Sequence, residues 1–436
     1  MATTPSHPRR SEGLHVLTSQ AHEERDLLAT YSITVSADTD ICSLAERFAV
    51  GQTLGTWVEV PGVTADMRKA HQGRVVSIVS SPAVDLVHQL TDRLTYLIQI
   101  ALPTVNFGAD LAQLITTCLG NDASTSIQSK LVDLQMPGSF AASFGGPRFG
   151  IEGLRKLTGI KSRPLVLNMI KPCTGITPEQ GARIFYATAL GGVDLIKDDE
   201  LLGDTEFSPL VDRIRAYEEA ASRVEGETGH RALYIPNITA QGTRLLDNAR
   251  RAVDAGARAV MVAYGSVGYG MLAEVASIAG VPVLGHYAGS GMFYEGPSSG
   301  MTAALTAGFF PRLAGADLAL INTPYGGYPM LRSSYLDTAR RLSLPTPRLK
   351  PTMPVVGGGV HAGVAELYLN ELGQDIVLAP GGGIQGHPDG ATAGARSVFQ
   401  AIEAWQMNIP ADEYSNDHPE LATALEKFGY RTAVAP

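Results

Sequence analysis

The stretch GGVDLIKDDE (residues 191–200) changes character halfway along. Val193 to Ile196 has the apolar, β-branched composition of a short buried strand, and Lys197, Asp198, Asp199 and Glu200 then set one cation against three carboxylates. A strand ending in charge has two readings. The triplet could be a solvated face or a helix start, since carboxylates favour the positive end of a helix dipole. Alternatively, if the strand ends converge, Asp199 and Glu200 are two hard oxygen ligands suited to an octahedral ion such as magnesium. Lys197 fits neither reading, because an ammonium is a poor metal ligand. The choice depends on the kind of sheet this stretch belongs to.

The pattern recurs along the chain. PLVLNMI (164–170), GVDLIK (192–197), ALYIPN (232–237), RAVMVA (258–263), VPVLG (281–285), DLALIN (317–322), MPVVG (353–357) and DIVLAP (375–380) are short apolar runs. Helical stretches such as TPEQGARIFYATAL, SPLVDRIRAYEEAASRVEGETG, RLLDNARRAVDAG and TAALTAGFFPRLAG separate them, several ending in glycine. Eight βα units over about 250 residues predict a TIM (β/α)8 barrel rather than an open doubly wound sheet, placed at 155–410 within a domain of 151–436. The 47 glycines agree, many falling just past strand ends.

Residues 1–150 read as a smaller α+β domain with a ferredoxin-like arrangement. LLATYSITVS, TWVEV and YLIQIALP are its expected strands, and ICSLAERFAVGQ and SPAVDLVHQLTDRL its expected helices or edges. The Gly/Pro-rich MPGSFAASFGGPRFG (136–150) is the expected connector. The tail from 406 reads as helical at best and is assigned no chemistry.

With 436 residues, 44% hydrophobic and 18% charged, the chain can bury a large core. Its net charge of -9 and lack of a basic stripe argue against nucleic-acid binding. No apolar run reaches about 18 residues and the first 25 contain no signal-like apolar segment, so the expectation is a cytoplasmic protein with no membrane partner. Cys42, Cys118 and Cys173 are odd in number and widely spaced, which suggests neither a disulfide framework nor structural zinc.

A TIM barrel carries its site at the C-terminal strand ends. Those positions hold Lys171 with Pro172 and Cys173, Lys197 with the acidic triplet, Asn237 with Thr239, Tyr264, His286, Asn322, then Gly357 to Gly359 with His361, and Gly381 to Gly383. A lone glycine triplet is often only a tight βα turn. Two at neighbouring strand ends predict a phosphate cradle of backbone N–H groups. Location at a barrel mouth also shifts the acidic triplet toward the metal reading.

GGVDLIKDDE resembles the GGxDxxKDDE motif of the RuBisCO large-subunit superfamily, in which the lysine reacts with carbon dioxide to form a carbamate. The resemblance implies that Lys197 as carbamate, Asp199 and Glu200 hold Mg2+, with Asp198 a structural neighbour. It runs in order along nearly the whole chain. GTW (55–57) implies that Thr56 reaches a phosphate across a homodimer interface, and GN (120–121) makes Asn121 the site asparagine. KP (171–172) implies that Lys171 handles protons, as a general acid whose pKa the nearby metal and burial lower. His286 is the second proton-transfer candidate, with a purely structural role the competing reading. Gly359, Gly381 and Gly382 match the phosphate-binding glycines, while His387 serves structure. Asn237 and Asn121 orient metal waters or substrate hydroxyls, or simply cap loops.

The departures place the chain among non-carboxylating RuBisCO-like proteins, often called form IV. The loop NTPYGGYPMLRSS (322–334) has no lysine to stabilise a carboxylated intermediate, and none follows until Lys350. Cys173 replaces a second lysine, with no partner to activate it evident in the sequence. Tyr287, Leu320 and Gly357 stand where the second phosphate site is expected, and Gly51 where a glutamate is. The implied substrate is a small sugar acid carrying one phosphate. In the enolases of methionine salvage the proton-abstracting lysine falls at Asn121, and loss of carbon dioxide from a 3-oxo acid needs no such base. The sequence therefore ranks 3-oxo-isoapionate 4-phosphate decarboxylase or transcarboxylase/hydrolase first. A 2,3-diketo-5-methylthiopentyl-1-phosphate enolase or methylthioribulose phosphate isomerase comes second, and a catalytically silent binding protein third.

Overall fold

The computed structural model describes Val16, Ala21 and residues 25–55, 60–86, 89, 91–346 and 348–431. Thr56 and most of the expected strand TWVEV lie outside the described residues. The chain divides into two compact units, Met1–Phe144 with Met292–Leu305, and Gly145–Gly291 with Thr306–Pro436.

The first unit is a four-stranded antiparallel sheet in the order β2-β3-β1-β4, with β1 Asp26–Ser36, β2 Arg74–Ser80, β3 Arg93–Pro103 and β4 Lys130–Gln135. Helices Ile41–Gly51 and Leu111–Cys118 follow β1 and β3, completing the ferredoxin-like βαββαβ order. Both start on aspartates: Asp40 accepts from Ser43 N at 3.2 Å and Asp110 from Gln113 N at 2.9 Å. Tyr31 ties both helices to the sheet, its ring edge-on to Phe48 and its hydroxyl donating to Cys118 O at 2.9 Å. SPAVDLVHQLTDRL forms no α-helix among its described residues and ends as the start of β3. Its apolar positions Ala83, Leu86, Val87, Leu90 and Leu94 fall at helical spacing, so local periodicity did not decide this segment. The sequence reading missed β2 and β4, which are the two edge strands. It also missed that 292–305 joins this unit, where Leu131 N donates to Gly300 O and Thr302 N to Leu131 O.

The second unit is the barrel. Its parallel strands are β5 Leu165–Met169, β6 Leu195–Lys197, β7 Leu233–Ile235, β8 Val260–Ala263, β9 Val283–His286, β10 Leu318–Ile321, β11 Met353–Gly357 and β12 Val377–Ala379. They run in the order β7-β6-β5-β12-β11-β10-β9-β8, and the bridge Asn237↔Met261 closes β7 onto β8. All eight expected runs are strands. Alternate residues point inward and fill the centre: Leu165 and Leu167, Leu195, Leu233 and Ile235, Met261, Leu284, Leu318 and Leu320, Met353 and Val355, Val377 and Ala379. Helix Gly150–Thr158, unforeseen in the sequence, places Leu154 in this cluster. Asp317 fixes its start by accepting from the Phe149 and Gly150 amides at 2.7 and 2.8 Å. Helices Gly390–Gln406, Ala411–Tyr414 and Pro419–Phe428 complete the C-terminal end. Among the described residues no helix is long and apolar enough to cross a membrane.

Candidate active site at the barrel mouth

The period of two that builds the core also selects the site. The inward file of β5 runs Leu165, Leu167, Met169 and on to Lys171; that of β6 runs Leu195, Lys197 and on to Asp199. In the same way β7 leads to Asn237, β9 ends in His286 and β12 leads to Gly381. Asp198 falls on the opposite, helix-facing side.

Lys197 is fully buried, and its ammonium donates to the Asp198 carbonyl at 2.9 Å. Burial depresses its pKa against the opposing pull of Glu200, Asp199 and Asp198. Depression favours the neutral amine, the form that can attack carbon dioxide. Beside it, burial disfavours the charged form of Asp199, yet the Lys171 hydrogen bond and the Leu201 amide outweigh this and hold its carboxyl down at about 2. Lys171 Nζ lies 2.7 Å from Asp199 Oδ2 and 2.9 Å from Cys173 Sγ.

Among the protein groups alone, burial pulls the Lys171 pKa down but the Asp199 and Cys173 partners together outweigh it and raise it; the lowering expected from the sequence is the effect of a neighbouring metal ion. Cys173 also has a cationic neighbour that the sequence did not reveal, because a two-residue separation around Pro172 says nothing about side-chain direction.

His286 is 4% exposed. Its Nδ1 accepts from Ala288 N at 3.1 Å, which leaves the proton on Nε2, 3.4 Å from Glu200 Oε2. Burial holds the ring well below its usual pKa and therefore neutral. Asn237 braces the acidic loop: its amide group donates to Glu200 O at 3.1 Å and its Oδ1 accepts from the Thr239 hydroxyl at 2.6 Å.

Asp198 anchors the triplet from behind. It accepts from Tyr234 Oη at 2.6 Å, from the Asn237 amide at 2.9 Å and from Arg213 Nε at 3.2 Å, with Arg213 wholly buried. Burial, with the Asp198 charge adding to it, pushes the Tyr234 phenol up, so it stays a donor. The sequence reading missed Arg213. Its signal was a basic residue on the same helix face as Leu210, Ile214 and Tyr217, all buried.

On the far side of the mouth the glycine loops draw close. Gly359 has φ +91, and a Cβ there would come within 2.8 Å of Gly326 Cα, so the β10 and β11 loops touch backbone to backbone. A Cβ on Gly381 would meet Met169 Sδ at 2.8 Å and Lys171 Cε at 3.8 Å, which puts this loop beside that lysine. Gly382 is exposed with open space around it. A Cβ on Gly357 would lie 3.0 Å from Leu320 Cδ1, so apolar carbon occupies that part of the mouth. His387 serves the fold, with Nε2 2.9 Å from Glu420 O.

Asn121, in the first unit, is exposed and precedes the single turn Asp122–Ser126. At Gly51 a Cβ would fall 1.7 Å from Asp122 Oδ2, so a different carboxylate occupies the space beside this glycine.

A divalent hard cation fits this chemistry. No three His, Cys, Asp or Glu side chains form a metal cage among the described residues. Asp199 and Glu200 supply two oxygen donors, and a buried lysine biased toward the neutral amine can gain a carboxylate by reacting with carbon dioxide.

The chain matches the ribulose bisphosphate carboxylase large chain catalytic domain over residues 150–428 and the N-terminal domain of the same protein over 16–140. A ribulose bisphosphate carboxylase-like protein of Archaeoglobus fulgidus is 40% identical over 92% of this chain and 93% of its own length. The 2,3-diketo-5-methylthiopentyl-1-phosphate enolase of Geobacillus kaustophilus is 36% identical over 92% and 98%. The crystal structure of a rubisco-like protein from Alicyclobacillus acidocaldarius superposes with a TM-score of 0.86 at 35% identity, covering 93% of this chain and 100% of that one.

Proposed function

The chain belongs to the ribulose bisphosphate carboxylase large-chain family as a RuBisCO-like protein, and from that premise we propose that it is an enzyme generating an enolate from a small ketone that carries one phosphate. The observation that carries this reading is the fully buried Lys197 beside Asp199 and Glu200. Lys197 as carbamate, Asp199 and Glu200 would hold Mg2+, which when bound supplies the Lewis acid for a developing enolate oxygen.

The remaining work falls to residues of this chain. Lys171, beside Asp199, would give a proton to the enolate. His286, kept neutral, offers its Nε2–H toward the same space. Backbone amides near Gly359, Gly381 and Gly382 would take the phosphate, while the apolar Leu320–Gly357 contact leaves no charge for a second one. Thr56 and Asn121 would complete the site from the partner subunit of a homodimer. Without a lysine in the loop after β10, carbon dioxide fixation is not part of the reading.

Relatives named as enolases support enolisation of 2,3-diketo-5-methylthiopentyl-1-phosphate ahead of the decarboxylation that the sequence ranked first. Decarboxylation of a 3-oxo sugar acid phosphate stays as the second reading, for one reason. By the family resemblance, Asn121 falls where those enolases carry their base.

One pair of assays separates the two. Enol absorbance growing from the methylthio diketone, with deuterium uptake from heavy water and no carbon dioxide release, supports the enolase. Carbon dioxide or glycolate released from 3-oxo-isoapionate 4-phosphate, with no enolisation of the diketone, supports the second reading. Inertness toward both substrates, with magnesium and bicarbonate present, would sink both.

A further inference from the structure

The ladder between β12 and β5 pairs Val377 with Leu165 and Leu378 with Val166. Continued in register, it sets Pro380 opposite Asn168. Proline has no N–H to extend a ladder, so the strands would part here, where the glycine loop begins. A side chain takes over from the backbone. Asn168, fully buried and on the helix-facing side of β5, donates from Nδ2 to Pro380 O at 2.7 Å and reaches Gly381 O at 3.4 Å. Its Oδ1 accepts from Gln385 Nε2 at 2.7 Å, and the same nitrogen donates to Thr188 Oγ1 at 2.8 Å. Thr188 in turn donates to Ile184 O at 2.9 Å.

No polar side-chain atom of Asn168, Gln385 or Thr188 is both buried and without a partner, which a buried amide requires merely to be tolerated. Two features go beyond tolerance. The group spans three elements that the backbone ladder leaves untied at this level: β5, the β12 loop and the helix Pro178–Ala189. It also ties Gly381, at the start of the proposed phosphate cradle, to the strand that carries Lys171 three residues later.

We infer that Asn168 and Gln385 are positioning residues: together they hold the Gly381–Gly383 loop at a fixed offset from the end of β5, and so set where a phosphate sits relative to Lys171. The loop-anchoring half stands on the geometry alone; the phosphate half rests on the proposed function.

The test uses the full chain carrying Asn168→Leu and, separately, Gln385→Met. The half-buried Gln385 keeps the test usable should the Asn168 variant fail to fold. Hydrogen exchange across residues 380–386 reads the anchoring, and calorimetric titration with inorganic phosphate reads the cradle. Faster exchange in that segment at an unchanged melting temperature, with phosphate affinity lower by about tenfold, is expected from losing a buried hydrogen-bond partner. Unchanged exchange and unchanged phosphate affinity overturn the role of the pair. Faster exchange in the variants of a chain that binds no phosphate even unsubstituted supports the anchoring and removes the cradle from the proposed function.

Discussion

The two sides of the barrel mouth solve opposite problems. On the β5–β7 side, charge is buried: Lys197, Asp198, Asp199 and Arg213 all lie within a few per cent of full burial. Each such group is expensive unless held by partners, so this side is a dense network with little freedom. On the β10–β12 side glycine takes the place of charge: Gly326 and Gly359 let backbone approach backbone, and Gly381 lets the side chains of Met169 and Lys171 come close. Chemistry that needs a tuned lysine can come only from the first side, and recognition of an anion by bare amides only from the second. Substitutions should therefore fail differently on the two sides: by stranded charge on one, by backbone strain on the other.

The largest expected effect tests the stranded charge. Arg213→Met leaves Asp198 buried without its cation and should destabilise the chain by about 3–5 kcal/mol in denaturant unfolding. A loss below about 1 kcal/mol would mean that Tyr234 and the Asn237 amide suffice to hold Asp198. Next comes Lys197→Ala, which should lower turnover at least about a hundredfold and abolish carbon-dioxide-dependent magnesium binding, with the fold intact. Unchanged metal affinity in that variant would rule out a carbamate.

On the glycine side, Gly359→Ala forces a side chain into φ +91 with Gly326 Cα 2.8 Å away. Phosphate affinity should fall by about tenfold with smaller effects on metal binding, because strain of this kind costs about 1–3 kcal/mol. The smallest effect is a pH dependence at His361, which follows Gly359. Burial, then the Arg431 charge, holds its ring down at about 4, below an unfolded value near 6.5. The unfolded chain thus binds the extra proton first, so His361 should cost stability progressively as pH falls from about 6.5 to 4 and cost nothing above that window. After discount for residual solvent access the loss is about 1 kcal/mol, and His361→Gln should flatten the curve there.

Legibility followed burial. The eight barrel strands were readable because both faces are covered, which demands unbroken apolar runs, and β1 and β3 were readable as the central strands of their sheet. β2 and β4 sit at its edges, and only Val75 is fully buried within RVVSIVS, so their patterns carried little signal. Arg213 and Asn168 went unread for the opposite reason. Each is a polar residue inside an apolar context, and its partner lies far away along the chain.

By itself the amino-acid sequence determined the barrel and the identity of its mouth residues, because a repeat of two along each strand assigns faces without knowledge of neighbours. It also determined the family, through the order of its motifs. Only the tertiary structure decided that Asp198 pairs with Arg213, that Lys171 rests on Asp199 and Cys173, and that Asn168 ties the Pro380 carbonyl to β5 where proline cannot extend the ladder. These are contacts between distant strands, loops and helices, and hydrogen-bond geometry at a barrel mouth is set by how neighbouring strands diverge, which no single strand encodes.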